Sequence, residues 1–158
     1  MSSFYHSVYL LEKFKTDMSI NRLSAQVREG KISREKAENL LNFVGLYQKR
    51  KLRAGDLSFG QQKLLELAMA LMNEPKMLLL DEPTAGINPT LINGIIDRLL
   101  KVNREFGITL LVIEHNMRVI MSLAQEIFCL AHGQLIANGK PTEIKNNQRV
   151  IDAYLGVQ

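Results

Sequence analysis

The sequence predicts an α/β fold built around a parallel sheet. Two short apolar runs, residues 77–80 and 108–113, are typical of buried strands. An amphipathic helical pattern separates them, and another helical pattern follows the second run. This strand–helix–strand–helix order implies parallel strands, because antiparallel neighbours need little more than a tight turn between them. With 158 residues, of which 46% are hydrophobic, the chain is long enough for a packed core.

The N-terminal part of the chain is predicted to be helical. Residues 7–46 place apolar side chains at three- and four-residue spacing, and Ser33 is typical of a helix start. The members of this apolar pattern are Val8, Leu11, Phe14, Ala37, Leu40, Leu41 and Val44. We interpret residues 1–56 as a helical subdomain and residues 57–158 as the α/β part of the chain.

The next helix has a sharper start signal. Ser58 and Gln61 form a capping-box pattern ahead of apolar positions at helical spacing. These positions are Leu64, Leu67, Ala68 and Leu71. The helix is expected to end near Asn73, before Pro75. Residues 77–80 then predict a fully buried strand that stops at two carboxylates.

A second strand–helix pair follows the same logic. Pro83 opposes an immediate helix, and the turn-rich residues 85–89 lead into an amphipathic helix that is expected to end at Gly107. Its apolar side consists of Ile92, Ile95, Ile96, Leu99 and Leu100. Residues 108–113 predict another buried strand, and a helix follows through about Leu123.

The C-terminal part is predicted to be a β-hairpin followed by a helix. Apolar residues 127–130 and 135–137 flank a short connection that contains His132 and Gly133, as expected for two antiparallel strands. The pattern of residues 142–155 predicts a helix.

Composition and charge exclude several classes of protein. A single cysteine, Cys129, leaves no disulfide framework and fits a reducing compartment. The first residues lack the basic start of a secretory signal, and no apolar run approaches the roughly 20 residues that span a bilayer. The net charge of +4 is spread along the chain, and its basic cluster at residues 49–53 is typical of a solvated loop. We expect no nucleic-acid partner.

The helix start at residues 57–61 is the first candidate site. Amides of a first helical turn lack intrahelical acceptors and carry the positive end of the helix dipole, so they attract anions. Gly60 would let a phosphate approach the backbone, and Ser58 would donate a further hydrogen bond. Taken alone, these residues fit an ordinary capped helix better.

Two carboxylates at the end of the first strand are the second candidate. The carboxyl ends of parallel strands line the ligand crevice of open α/β sheets. There Asp81 would hold Mg²⁺ through its water shell, while Glu82 would orient and deprotonate an attacking water. A solvated acidic turn explains the pair at least as well on its own.

The third candidate is His115, at the end of the second strand. It would share the crevice if the two strands are neighbours, and it could then donate to a γ-phosphate. A lone histidine is more often structural. Cys129 and His132 supply too few ligands for a metal site, which normally needs about three or four.

The order of these motifs resembles that in the ATP-binding subunits of ABC transporters, where the signature, the Walker B strand, the D-loop and the switch histidine follow one another. The matching stretches are residues 57–62, 77–84, 85–89 and 114–115. Within that family, the aromatic Phe59, the pair Gln61 and Gln62 and the ending 150–156 look like the ATPases of branched-chain amino acid importers. The likeness is expected to begin at about Phe43.

This resemblance implies a partial P-loop NTPase domain that works as one of two ATPase subunits. In the family, two subunits sandwich two ATP molecules, each between the Walker A loop of one subunit and the signature of the other. Here Ser58, Gly60 and Gln61 would contact ATP held by the partner subunit, and the D-loop would cross the dimer interface. The D-loop residues are Ala85, Gly86, Ile87 and Asn88. The chemistry would be phosphoryl transfer to water.

The resemblance also implies the remaining roles and partners. Asp81 would serve Mg²⁺, Glu82 the hydrolytic water and His115 the γ-phosphate of ATP. Transmembrane permease subunits would be further partners, and they would place the chain peripherally on the cytoplasmic face of the inner membrane. Specificity would belong to other components, with branched-chain amino acids or similar solutes as the cargo.

The phosphate-binding Walker A pattern, G-x-x-x-x-G-K-[ST], is absent from the 158 residues. Of the two Gly-Lys pairs, Gly30-Lys31 precedes Ile32 and Gly139-Lys140 precedes Pro141. We therefore expect the chain by itself to bind ATP weakly or not at all and to have negligible ATPase activity.

Two functional hypotheses follow. The chain is either a truncated ATP-hydrolysing subunit of an importer or a non-catalytic partner that presents its signature to a complete ATPase. The heads of chromosome-maintenance and DNA-repair ATPases share these motifs but are disfavoured, because the sequence has no long heptad segment. Under either hypothesis the sheet would lack flanking strands, so we expect an exposed apolar edge and self-association.

Overall fold

The computed structural model describes residues 33–156, which form two compact units, 33–113 and 114–156. The helical pattern predicted for residues 7–32 lies outside the described residues. The subdomain boundary predicted at residue 56 falls inside the first unit and remains a prediction. Within the described part of the chain, no helix is both long and apolar enough to cross a bilayer.

The first unit combines helices with a parallel strand pair. Its elements are α1 (Arg34–Phe43), two 3₁₀ turns (Tyr47–Lys49 and Ala54–Asp56), α2 (Phe59–Leu71), β1 (Met77–Asp81), α3 (Pro89–Phe106) and β2 (Thr109–Ile113). Ser33 and Ser58 each cap a helix by accepting a hydrogen bond from the amide three residues further on. Gly107, with φ of 67°, ends α3. These starts and this end confirm the predictions from local sequence.

The two strands of the first unit pair in parallel, as predicted. Met77 lies opposite Thr109, and Asp81 lies opposite Ile113. The helix α3 makes the crossover between the strands and packs on β2. The most deeply buried apolar side chains of the unit are Val44, Leu65, Ala68, Met72, Leu99 and Val102.

The prediction that both strands are fully buried is wrong. Leu78 is buried, but Leu79 is 67% exposed and Ile113 is 53% exposed. Side chains alternate between the two faces of a strand, so one face of the pair is covered and the other is open. The open face consists of Met77, Leu79, Leu111 and Ile113. A continuous apolar run implies burial on both sides only where helices cover both faces, and the described residues cover one.

The second unit is built on a hairpin. Its elements are α4 (Met117–Leu123), β3 (Ile127–Ala131), β4 (Gln134–Gly139), α5 (Pro141–Lys145), α6 (Gln148–Ile151) and a π-helical turn (Asp152–Gly156). The strands pair antiparallel, which confirms the predicted hairpin. Instead of one helix over residues 142–155, the chain forms these short helical segments. Their buried side chains Ile144 and Val150 cluster with Ile127 and Cys129, and burial raises the pKa of the Cys129 thiol.

We expect the isolated chain to self-associate through the open face, because contiguous apolar surface associates in water. Leu79→Lys should shift the sedimentation coefficient towards that of a monomer, whereas Leu52→Lys, at another exposed leucine, should leave it unchanged. A wild-type chain that sediments as a monomer at high micromolar concentration would contradict this expectation.

Candidate functional site

The start of α2 carries the signature residues. The Ser58 Oγ accepts a hydrogen bond from the Gln61 amide at 3.4 Å, and the Gln61 Oε1 accepts one from the Ser58 amide at 3.1 Å. This capping box is the one predicted from the sequence. Ser58 is exposed and Gly60 is buried. Because a hydroxyl that accepts can also donate, Ser58 can cap its helix and still donate to an anion.

Gln62 fastens the segment that precedes this helix. Its side-chain Nε2 donates to the carbonyl oxygens of Ala54 and Leu57, both at 3.2 Å. The half-buried amide thus ties the turn before the signature to the first turn of α2. In the sequence, Gln62 stood out only as part of a family likeness, because its two acceptors are set by the folded loop.

Asp81 is the last residue of β1 and Glu82 follows it directly, and both are exposed. The Glu82 amide donates to the Ile113 carbonyl at 2.8 Å, which extends the ladder by one bond. Glu82 has φ of 45°, in the left-handed region. For a residue with a Cβ this conformation costs roughly 1–2 kcal/mol. Such strain is often found at functional sites, and sequence reasoning gave no sign of it.

The loop after Glu82 is closed by its own hydrogen bonds. The Ala85 amide donates to the Glu82 carbonyl at 3.0 Å, and the Ile87 amide donates to the Thr84 carbonyl at 3.3 Å. Ile87 and Thr84 are both buried. The loop ends at Asn88, whose side chain accepts from the Thr90 amide at 3.0 Å and caps α3.

The structure brings this loop against the signature, a contact that the sequence analysis missed. The Phe59 ring lies over Gly86, where a methyl group would sit 3.2 Å from the ring. In return, a methyl group at Gly60 would sit 3.2 Å from the Leu91 side chain. The two predicted stretches, 57–62 and 85–89, therefore form one continuous packed surface.

His115 belongs to the second unit, two residues beyond the end of β2. Its side chain is exposed, and the neighbouring Glu114 accepts a hydrogen bond from the Asn116 amide at 3.3 Å. The predicted place of His115 in the same crevice as Asp81 and Glu82 remains a prediction.

The donor set at the end of β1 fits a magnesium ion. Among residues 33–156, no three His, Cys, Asp or Glu side chains cluster as a metal site would require. Magnesium is usually held by one or two carboxylates together with waters and substrate phosphates. Asp81 offers an exposed carboxylate of this kind, and a nucleotide would have to complete the set.

Solved ATP-binding cassettes share this fold. A crystal structure of the ADP conformation of an ATP-binding cassette of an ABC transporter aligns with a TM-score of 0.70 and 38% identity, covering 78% of this chain and 50% of that one. A part of the ABC transporter complex cbiONQ from Clostridium perfringens aligns with a TM-score of 0.68 and 31% identity, covering 75% and 49%. These matches confirm the predicted fold class.

The sequence matches two families. Residues 5–85 match the family described as ABC transporter, and residues 134–158 match the family described as branched-chain amino acid ATP-binding cassette transporter. The chain therefore belongs to the ABC transporter family. The first match begins well before Phe43, so the prediction that the likeness begins there was wrong. The preceding helical pattern has no short motif by which it could be recognised from one sequence.

Curated relatives of this chain include branched-chain amino acid transport proteins. A probable branched-chain amino acid transport ATP-binding protein, LivG, of Archaeoglobus fulgidus is 39% identical over 124 residues, which is 78% of this chain and 48% of that protein. The high-affinity branched-chain amino acid transport ATP-binding protein BraF of Pseudomonas aeruginosa is 39% identical over 122 residues, covering 77% and 48%. The chain spans about half the length of the curated relatives it matches.

The left-handed backbone at Glu82 predicts an unusual order of stability. Glu82→Gly should be more stable than Glu82→Ala by about 1 kcal/mol, because glycine adopts this conformation without a Cβ clash. At Asp81, in the extended strand, the order should reverse, with alanine the more stable by roughly 0.5–1 kcal/mol. Urea unfolding of the four variants measures both differences. The same order at the two positions would contradict the assignment of strain to Glu82.

Proposed function

We propose that this chain is an ATPase component of an ABC importer for branched-chain amino acids or similar solutes. The observation that carries the proposal is the exposed helix start at Ser58, held by its capping box and by Gln62 and packed on the loop at Gly86. The relatives named for branched-chain amino acid transport support the choice of solute.

The signature would act on a nucleotide held by a second ATPase subunit. The Ser58 hydroxyl and the amides of the first turn of α2 would donate to phosphate oxygens, and the helix dipole would favour the negative charge. Gly60 is buried against Leu91, so it would contribute its backbone amide to this set of donors. The Gln61 side chain accepts a hydrogen bond from the Ser58 amide, and this bond would keep the donors oriented before a phosphate binds.

The carboxylates would act on the nucleotide of their own subunit. Asp81 would hold Mg²⁺, which neutralises phosphate charge when bound. Glu82 would orient the attacking water and accept its proton, and His115 would donate to the γ-phosphate. These groups need a phosphate loop to position the nucleotide, and the 158 residues do not contain one. We expect hydrolysis in a complex that includes such a loop, with permease subunits on the cytoplasmic face of the inner membrane.

The proposal predicts an ATP-dependent complex with a complete ATPase subunit of the branched-chain type. With Mg-ATP and a partner whose hydrolytic glutamate is replaced by glutamine, sedimentation should detect a heterodimer. Ser58→Asp should abolish it, because the carboxylate would repel the phosphate. Ser58→Asn should retain it, because asparagine and aspartate cap helices equally well and so match in stability. Association that is unaffected by ATP, or equal loss in both variants, would count against the proposal.

A second candidate is a non-catalytic partner that completes the site of another ATPase. The combination of an intact signature with no phosphate loop in the 158 residues favours it.

Glu82→Gln separates the two candidates. In the assembled complex it should lower ATP turnover at least about tenfold if Glu82 acts on water. It should leave turnover unchanged if the signature alone is used. Phosphate release measured on the wild-type complex and on the variant complex decides between them, with Glu105→Gln, at an exposed carboxylate near the end of α3, as a matched control.

A further inference from the structure

Phe59 is an aromatic residue in an exposed position, at the first turn of α2. Its side chain is 52% exposed, yet one edge of its ring lies on Gly86, where a methyl group would be 3.2 Å from Cε1 and 3.7 Å from Cδ1. Gly86 has φ of 69°. The glycine therefore does two things at once: it permits a left-handed turn and it leaves room for the ring.

The contact is reciprocal. A methyl group at Gly60 would lie 3.2 Å from the Leu91 Cδ1 and 3.7 Å from the Ile87 Cγ2. Phe59 of α2 thus packs on Gly86 of the loop. In the opposite direction, Ile87 of the loop and Leu91 of α3 pack on Gly60 of α2. These two glycine contacts restrict movement of the start of α2 along the loop more than a single contact would, because close-packed surfaces leave no free space.

The ring is also held from its own helix. The Lys63 Nζ lies 5.6 Å from the centroid of the Phe59 ring, within the range of a cation–π contact. Lys63 is itself paired with Glu66 at 3.1 Å. The ring orientation is therefore supported by the next turn of α2 as well as by the loop.

The loop that Phe59 contacts is tightly connected to Glu82 and to α3. The Ala85 amide bonds to the Glu82 carbonyl, and Asn88 caps α3. The ring contact at Gly86 therefore connects the start of α2 to a loop that is anchored at both ends.

We propose that Phe59 is a positioning residue that joins the signature to the loop 85–88, so that the two move as one body. This joint, which is the contact of the Phe59 ring with Gly86, is inferred from the packing alone. Its consequence for nucleotide-driven assembly rests on the proposed function, since it requires that Ser58 meets ATP on a partner subunit. Through the joint, phosphate contact at Ser58 fixes the position of Gly86, Ile87 and Asn88 at the same time.

Hydrogen exchange on the full chain tests the joint directly. In Phe59→Ala, the Ile87 amide and its neighbours in residues 85–88 should exchange about tenfold faster, because the loop loses its cover. Amides of β1 should be unaffected. Phe59→Tyr keeps the ring and should restore slow exchange, and Phe128→Ala, which removes a phenylalanine of 56% exposure in the second unit, should change nothing in the loop.

Gly86→Ala approaches the same contact from the other side. It should also accelerate exchange in residues 85–88, because the added methyl group would clash with the Phe59 ring. The acceleration should be smaller in the Phe59→Ala background, where that ring is absent. Unchanged loop exchange in both single variants would overturn the joint. Acceleration spread evenly over β1 and the loop would also overturn it, since that is general destabilisation.

The heterodimer assay tests the consequence. Phe59→Ala should raise the Kd of ATP-dependent association about tenfold although Ser58 is intact, and Phe59→Tyr should restore it. A loosened loop with unchanged association would overturn the role in assembly while leaving the joint. If the wild-type chain does not associate at all, the proposed function and the role in assembly both fail, and the exchange measurement still decides the joint.

Discussion

Parallel strands cannot be joined by a tight turn, and this constraint shapes the whole first unit. Since β1 pairs in parallel with β2, the chain must return to the starting edge of the sheet through α3. The crossover leaves β1 at Asp81, and the segment before Asn88 has to reverse direction within a few residues. The position of the carboxylates at the strand end, the tight loop and the cap of α3 all follow from this pairing.

Strain in that loop is offset by contacts around it. The left-handed backbone at Glu82 costs roughly 1–2 kcal/mol. Hydrogen bonds from the Glu82 and Ala85 amides each contribute about 1 kcal/mol net, and burial of Ile87 contributes about 2 kcal/mol. The contacts outweigh the strain, so the Glu82 backbone is fixed on both sides at the end of the strand.

The open face of the strand pair shows how much the fold depends on covering both sides of a parallel sheet. Leu78 is buried, whereas Leu79 and Leu111, which are equally apolar side chains, are exposed on the other face. Parallel sheets are normally covered on both faces. The aligned segment is about half the length of the relatives that match it, so those proteins contain further polypeptide.

Residues that act locally, such as helix caps and stop residues, allowed most of the helix bounds to be predicted from the sequence alone. The caps at Ser33 and Ser58 and the stop at Gly107 act within a few residues, so helix bounds followed from the sequence. The order of the motifs, from Ser58 to His115, was also sufficient to recognise the family, because four weak patterns in a fixed order rarely coincide.

The tertiary structure alone decided three features. It set which strand face is covered, the left-handed backbone at Glu82, and the packing of Phe59 on Gly86. Each depends on groups that are separated in the sequence and meet only in the folded chain. Periodicity along the chain records which residues are apolar, but it carries no information about which partner will cover them.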